Sequence, residues 1–174
     1  MISLKDLLAD EQVYDQEISD VSTTVIPYPQ ANSLDVVLQV IDTLRESGNS
    51  IYDLVSMRIV KSARQASYYY NAAAFLGFCF KRGSYFYPTE LVSELRAAGE
   101  VNKASKFATM VLANRHVSRL FIGVSRLPNN EARLAWLADQ IGTCVRSSIT
   151  RRRRASSMLS WLAWVQRNLP RSAN

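Results

Sequence analysis

The stretch SARQASYYYNAAAFLGF, residues 62–78, has polar side chains spaced so that a helix would gather them on one face. At 3.6 residues per turn, every third or fourth residue from Arg64 to Asn71 falls on that face. Arginine reads guanine, asparagine and glutamine read adenine, and tyrosine and serine reach phosphate. We therefore expect the four side chains of this face, Arg64, Ser67, Tyr68 and Asn71, to contact DNA, together with the neighbouring Gln65.

Two alternatives apply to this face. Ser62 and Gln65 fit a capping box, in which each side chain bonds the other's backbone N–H, and Gln65 is then less available to a base. Tyr68 and Phe75, one turn further, would instead suit a protein-binding patch. The two tyrosines that follow Tyr68 are expected in the core, with their hydroxyls at its rim.

Four consecutive arginines, residues 151–154, lie in the first turns of the last predicted helix. Positive charges at a helix N-terminus oppose the helix dipole, and adjacent like charges repel. Phosphates lying across them would relieve both effects, because arginine forks and free backbone N–H groups then face anions. We expect nucleic acid at Arg151, Arg152, Arg153 and Arg154. The alternatives are a solvated helix end or an ion-pairing partner for the acidic N-terminal segment.

The net charge of +6 conceals a strong asymmetry along the chain. Residues 1–32 carry one base and six acids, and residues 33–100 carry seven of each. Residues 101–174 carry thirteen bases and only two acids. A segment this basic indicates a polyanionic partner, although a solvated basic surface without a ligand is the alternative.

Residue patterns typical of catalysis are scarce. The single histidine, His116, has no nucleophile near it in sequence and is expected on a helix surface. Cys79 and Cys144 are not at metal-ligand spacing, and a glycine-rich phosphate loop is missing. We therefore expect no enzyme, no cofactor and no metal. The apolar runs are too short for a membrane-spanning helix, and acids stand near the N-terminus where a signal peptide needs an apolar stretch. We therefore expect a soluble, cytoplasmic protein that does not engage a membrane.

Cap and stop signals predict three helices in the first half of the chain. Ser33, Ser50 and Ser62 are expected to begin them, and Gly77 to end the third. Before them, two prolines make IPYPQANS a predicted linker.

A β-hairpin and a further helix are predicted next. Two apolar runs surround the tight turn 81–84, and Lys81 and Arg82 at its tip would reach an adjacent groove or the DNA backbone. A helix follows over 89–99. Helix, short helix, recognition helix and two-stranded wing is the order of a winged helix-turn-helix.

The last third is predicted to be almost entirely helical. Asn102 is expected to cap one helix, and Asn129 or Asn130 another. In the final helix, Trp164 is placed on the flank, partly exposed. The order of helices in this part resembles that of the first part, but no β-hairpin wing is predicted here.

The domain prediction is an acidic leader and linker (1–32), a winged helix-turn-helix (33–100) and a basic winged-helix-like unit (101–174). The fold class is thus mostly α, with tandem winged helix-turn-helix-like units and one small hairpin wing.

Two stretches resemble the DNA-recognition parts of type II restriction endonucleases and related bacterial defence proteins. They are RQASYYYNAAAFLGF (64–78) with its following hairpin, and SSITRRRRASSMLSWLAWV (147–165). The resemblance implies tandem winged-helix units and sequence-specific reading of double-stranded DNA, and it adds Ser148 and Thr150 to the expected DNA contacts. Here Ile149 interrupts the family's Ser-Thr pair. The nuclease domain of such enzymes is missing, which implies a recognition half, a stand-alone subunit or a regulator.

The sequence therefore predicts a non-catalytic, double-stranded DNA-binding protein, serving a restriction or defence system or acting as a regulator. A nuclease or other protein subunit, or a second copy of the chain, is a further candidate partner. The alternative function is a helical interaction subunit that docks on an acidic protein. A third is an enzyme subunit that completes a nuclease site in another chain.

Overall fold

The computed structural model describes residues 28–142 and 148–170, except for the side chain of Ser148. Cys144 and most of the acidic leader lie outside these ranges. Within them the fold is mostly helical, with a small antiparallel sheet. None of the described helices has the length and hydropathy that crossing a bilayer requires. The helices are α1 (Leu34–Thr43), α2 (Ile51–Ser56), α3 (Ala63–Phe75), α4 (Glu90–Arg96), α5 (Gly99–Ala113), α6 (Arg115–Ser125), α7 (Asn130–Gly142) and α8 (Ser148–Asn168).

Helix α3 begins and ends as the sequence predicts. The Ser62 hydroxyl accepts a hydrogen bond from the backbone N–H of Gln65, at 3.3 Å. At the other end Gly77 has φ +85°, a conformation that costs glycine little. The N–H groups of Gly77 and Phe78 reach back to the carbonyls of Ala74 and Ala73, both at 2.9 Å. This is a Schellman motif, and it directs the chain into the hairpin.

The hairpin is confirmed, and the sheet contains one more strand than predicted. Strands β2 (Cys79–Arg82) and β3 (Tyr85–Pro88) pair antiparallel, with Arg82 opposite Tyr85. Strand β1 (Asn49–Ser50) pairs with the outer edge of β3. Asn49 is fully buried, and its amide bonds the backbone at Arg45 and Thr43. These bonds hold the chain that follows α1 against the start of the sheet.

The prediction that Asn102 caps a helix is wrong. Helix α5 already begins at Gly99, only three residues after α4 ends, and Asn102 lies inside its first turn. Gly99 has φ +67°, so the chain changes direction there without a loop or a capping side chain. Asn114 and Asn129 do cap the two following helices, since their side-chain oxygens accept backbone N–H bonds.

One hydrophobic core runs through both predicted units. Aromatic side chains connect them: the Phe75 and Trp161 rings lie 6.3 Å apart, and the Phe78 and Phe107 rings 5.5 Å apart. Helix α8 packs on α7 and α5. The domain boundary at residue 100 stays a prediction, but burial is continuous across it.

The residues before α1 are held along α8, and we call residues 28–31 the anchored segment. Arg154 Nη1 donates a hydrogen bond to the carbonyl oxygen of Tyr28, and Ser157 Oγ donates one to the carbonyl oxygen of Gln30. Trp161 Nε1 donates to the carbonyl oxygen of Ala31 at 2.9 Å. Trp164 is 5% exposed and donates to the Asp35 carboxylate, so its predicted partial exposure is wrong.

Candidate functional site

The outward face of α3 presents the side chains that the sequence predicts there. Arg64 and Asn71 are exposed, whereas Ser67 and Tyr68 are half-buried. Arg64 Nε donates to the Tyr68 hydroxyl at 2.7 Å, and its guanidinium carbon lies 5.6 Å from the Tyr68 ring centroid. The two side chains therefore orient each other along one side of the helix.

Gln65 is exposed but engaged. Its Oε1 accepts a hydrogen bond from the backbone N–H of Lys61 at 2.9 Å, not from that of Ser62. The capping interaction thus closes one residue earlier than a capping box does. Because Oε1 already accepts this bond, Gln65 is less available to an adenine edge.

A pocket of about 360 Å³ lies between α3, α8 and the anchored segment. Tyr68 and Asn71 of the α3 face line it together with Arg154 of α8, which lies more than eighty positions later in the chain. The lining residues are Tyr28, Pro29, Gln30, Tyr68, Asn71, Phe75 and Arg154.

The four arginines divide into two pairs. Arg152 and Arg153 are exposed, and within the described ranges neither makes an ion pair. Arg154 is half-buried at the pocket, and its Nη1 donates to the Tyr28 carbonyl. Arg151 is half-buried against Gly142, where an added Cβ would lie 3.2 Å from its Nη1. One pair therefore faces solvent and the other helps hold the fold.

The remaining predicted contacts lie at the edges of this surface. Lys81 and Arg82 are exposed beside the hairpin turn, and Lys81 Nζ lies 5.9 Å from the Phe86 ring centroid. Thr150 is half-buried in the first turn of α8. The backbone of Ser148 begins that helix, while its side chain is outside the described part of the structure.

Sequence reasoning overlooked a charge signal around α3. Residues 54–89 contain five bases and no acid, although the 33–100 segment as a whole is neutral. The acids of this segment lie in α1, α2, α4 and α5, apart from Glu46, which follows α1. Helix α3 and the hairpin together are therefore net positive, which a count over the whole segment conceals.

His116 is another correction, because it is not a simple surface residue. Its half-buried ring packs 6.5 Å from that of Tyr28 and 6.1 Å from that of Phe75, just behind the pocket wall. Burial lowers its pKa, and the charges of Arg115 and Arg119 lower it further. Both effects favour the neutral imidazole.

Within the described ranges, few side chains suit nucleophilic or metal chemistry. Burial raises the pKa of the Cys79 thiol to about 12, which suppresses its reactive thiolate form. Among the residues described, no three His, Cys, Asp or Glu side chains are grouped as a metal site requires. The side chains of this surface are of the kinds that form hydrogen bonds, stack on planar rings and contact anions.

Comparisons with known proteins place the chain in a family but assign it no activity. No curated protein and no solved structure matches it significantly. One family model matches residues 36–169, from α1 to the end of α8, and so includes the α3 face, the hairpin and the arginine run. The chain belongs to the DUF7226 family, a domain of unknown function.

Proposed function

We propose that this protein is a non-catalytic, double-stranded DNA-binding protein that reads sequence through α3. The observation that carries the proposal is the meeting of two independently predicted surfaces. Tyr68 and Asn71 of α3 line the same pocket as Arg154. The exposed Arg152 and Arg153 precede Arg154 on the same helix end. A single duplex lying across this surface would meet amide, phenol and guanidinium groups together.

The order of elements supports a winged-helix arrangement. Helix α1, strand β1, helices α2 and α3, and the β2–β3 hairpin follow one another as in that module, with β1 completing the sheet. In such a module α3 is the helix that enters the major groove. The exposed Lys81 and Arg82 of the hairpin then lie where a wing contacts the backbone.

The anchored segment limits how α3 can approach DNA. It borders the pocket beside Tyr68, Asn71 and Phe75, which makes the second half of the outward face concave. The first turns, around Arg64, carry no such border among the described residues. We therefore propose that the N-terminal half of α3 reads bases, as in most recognition helices, and that α8 grips phosphate.

A role as recognition subunit of a restriction or defence system, or as a regulator, rests on the sequence resemblance alone. The geometry supports DNA reading in either setting. The missing catalytic constellation in the described ranges argues that any cleavage would come from a partner.

Selection of bound duplexes from a random pool is the direct test. The proposal predicts enrichment of a sequence motif by the wild-type chain. Arg64→Ala should blur that motif, because a lost bidentate contact costs about 1–3 kcal/mol of discrimination. Arg152→Ala/Arg153→Ala should weaken binding to all sequences while leaving the motif intact.

A matched control is available on the same helix. Arg167 is exposed near the C-terminal end of α8, about 21 Å along the axis from Arg153. Arg167→Ala should leave affinity nearly unchanged. If Arg64→Ala and Arg152→Ala/Arg153→Ala have the same effect on motif and affinity, the division between reading and gripping is wrong. If no duplex is retained, the proposal itself is wrong.

A second candidate function, docking on a protein partner, has one observation in its favour. Phe80 and Tyr85 of the hairpin are 51% and 49% exposed, and Phe80 stacks on Tyr87 with 5.7 Å between ring centroids. Phe80→Ser/Tyr85→Ser should leave DNA affinity unchanged if this surface serves a protein, and should weaken it if it serves DNA.

A further inference from the structure

We propose that the pocket between α3, α8 and the anchored segment binds one unstacked nucleotide, with its base among the aromatic rings and its phosphate at Arg154. This ligand class goes beyond duplex reading, in which every base stays paired. The pocket volume of about 360 Å³ is near the lower limit for small-molecule sites, which suits a single nucleotide.

Apart from Pro29, the apolar residues that line the pocket are aromatic. Tyr28 and Phe75 contact each other at 5.8 Å between centroids, with their planes tilted by 49°. Tyr68 supplies a third ring, and its hydroxyl is already held by Arg64. Rings fixed in this way offer π faces to a flat ligand, and stacking on them is tolerant of base identity.

Two amides supply an edge for hydrogen bonding. Gln30 and Asn71 line the pocket from opposite elements, and within the described residues neither side chain makes a hydrogen bond. A carboxamide presents a donor and an acceptor side by side, which matches the edge of a nucleobase. An aliphatic ligand would leave both amides unused, and a purely anionic ligand would use only their N–H donors.

Arg154 supplies the positive charge. Its guanidinium is half-buried at the pocket, and its Nη1 donates to the Tyr28 carbonyl, which fixes its direction. A planar guanidinium held in place binds phosphate with less loss of side-chain entropy than a mobile lysine. Aromatic rings, amides and one arginine together select a nucleotide over a free base or a free phosphate.

This ligand has two possible sources: a free mononucleotide, or an unpaired nucleotide within a nucleic acid. The second source deepens the proposed function and rests on it. An unpaired or mismatched base costs least to unstack, so a chain that captures it would prefer duplexes with such a defect.

The test compares three probes on the full chain: dAMP, a paired duplex, and the same duplex with one unpaired adenosine. Binding of dAMP is followed by calorimetry and binding of the fluorescent duplexes by anisotropy. Gln30→Met removes one amide at similar size without touching the proposed reading face, and Asn71→Leu removes the other. Gln39→Met, at an exposed glutamine of α1, is the matched control.

The proposal predicts that wild type and Gln39→Met bind dAMP, or prefer the duplex with the unpaired adenosine by about tenfold or more. Gln30→Met and Asn71→Leu should lower that binding or preference about 5- to 150-fold. Far-UV circular dichroism confirms that each variant is folded.

The outcomes separate the two proposals. Duplex binding with neither dAMP binding nor a preference for the unpaired nucleotide overturns the pocket assignment and leaves DNA binding intact. Binding of dAMP without duplex binding supports the pocket and overturns the proposed function. A dAMP affinity or duplex preference that survives both amide substitutions also overturns the pocket assignment.

Discussion

Replacing Trp161 by phenylalanine tests how the anchored segment is held. The indole is fully buried, and its Nε1 donates to the carbonyl oxygen of Ala31, itself 2% exposed. Phenylalanine keeps an aromatic ring near Phe75 but removes the donor and part of the volume. The Ala31 carbonyl is then buried without its partner.

The expected loss follows from two contributions. An unsatisfied buried acceptor costs about 1–3 kcal/mol, and the void left by the smaller ring adds to it. We expect Trp161→Phe to lower the free energy of unfolding by about 2–4 kcal/mol. At a typical urea m-value of about 2 kcal/mol per M, the denaturation midpoint falls by about 1–2 M.

Trp136→Phe is the matched control for this substitution. Trp136 is half-buried against Gly123, and in the described part of the structure its indole N–H donates no hydrogen bond. Its replacement should cost about 1 kcal/mol. Urea titrations followed by far-UV circular dichroism measure both variants without relying on tryptophan fluorescence. If Trp161→Phe costs no more than Trp136→Phe, the hydrogen bond to the anchored segment does not stabilise the fold.

Three further predictions concern packing and pH. Gly123→Ala should cost about 1–3 kcal/mol in thermal unfolding, because its Cβ would lie 2.1 Å from Trp136 Cη2; an unchanged melting temperature would contradict this contact. The buried Cys79 thiol keeps its proton up to a pKa of about 12, whereas the unfolded chain releases it from about pH 8.5. Stability should therefore fall between those values by up to about 1.4 kcal/mol per pH unit, and Cys79→Ala should decline less steeply in alkaline urea titrations. The lowered pKa of His116 means that the unfolded chain takes up a proton first as pH drops below about 6.5, so acid should destabilise wild type more than His116→Gln. Equal acid slopes for the two proteins would show that the ring is solvated.

Local signals predicted much of the fold. Ser33 and Ser62 begin their helices and Gly77 ends α3, because capping depends on residues three or four positions apart. The hairpin turn at Gly83 was equally visible, since strand pairing across a short turn is also local.

Features that depend on distant contacts could not be predicted in this way. The short strand β1 exists because β3, more than thirty residues later, offers an edge. Helix α5 begins at Gly99 because the backbone turns there at a positive φ, without a capping side chain that the sequence could show. Trp164 is buried because Asp35 and Phe107 meet it from other helices.

The candidate site shows the same division. Helical periodicity placed Arg64, Tyr68 and Asn71 on one face of α3, and the arginine run was visible directly. The pocket was not predictable, because the anchored segment reaches it through bonds to residues more than 120 positions away. The packing of His116 behind the pocket wall has the same origin.

The salt dependence of duplex affinity tests most directly whether the start of α8 grips phosphate next to the reading face. Each neutralised phosphate adds about 0.9 to the slope of log affinity against log salt. Arg152→Ala/Arg153→Ala should therefore flatten the wild-type slope by about 1.8, while Arg167→Ala leaves it unchanged. A slope that is the same in wild type and both variants would contradict the account.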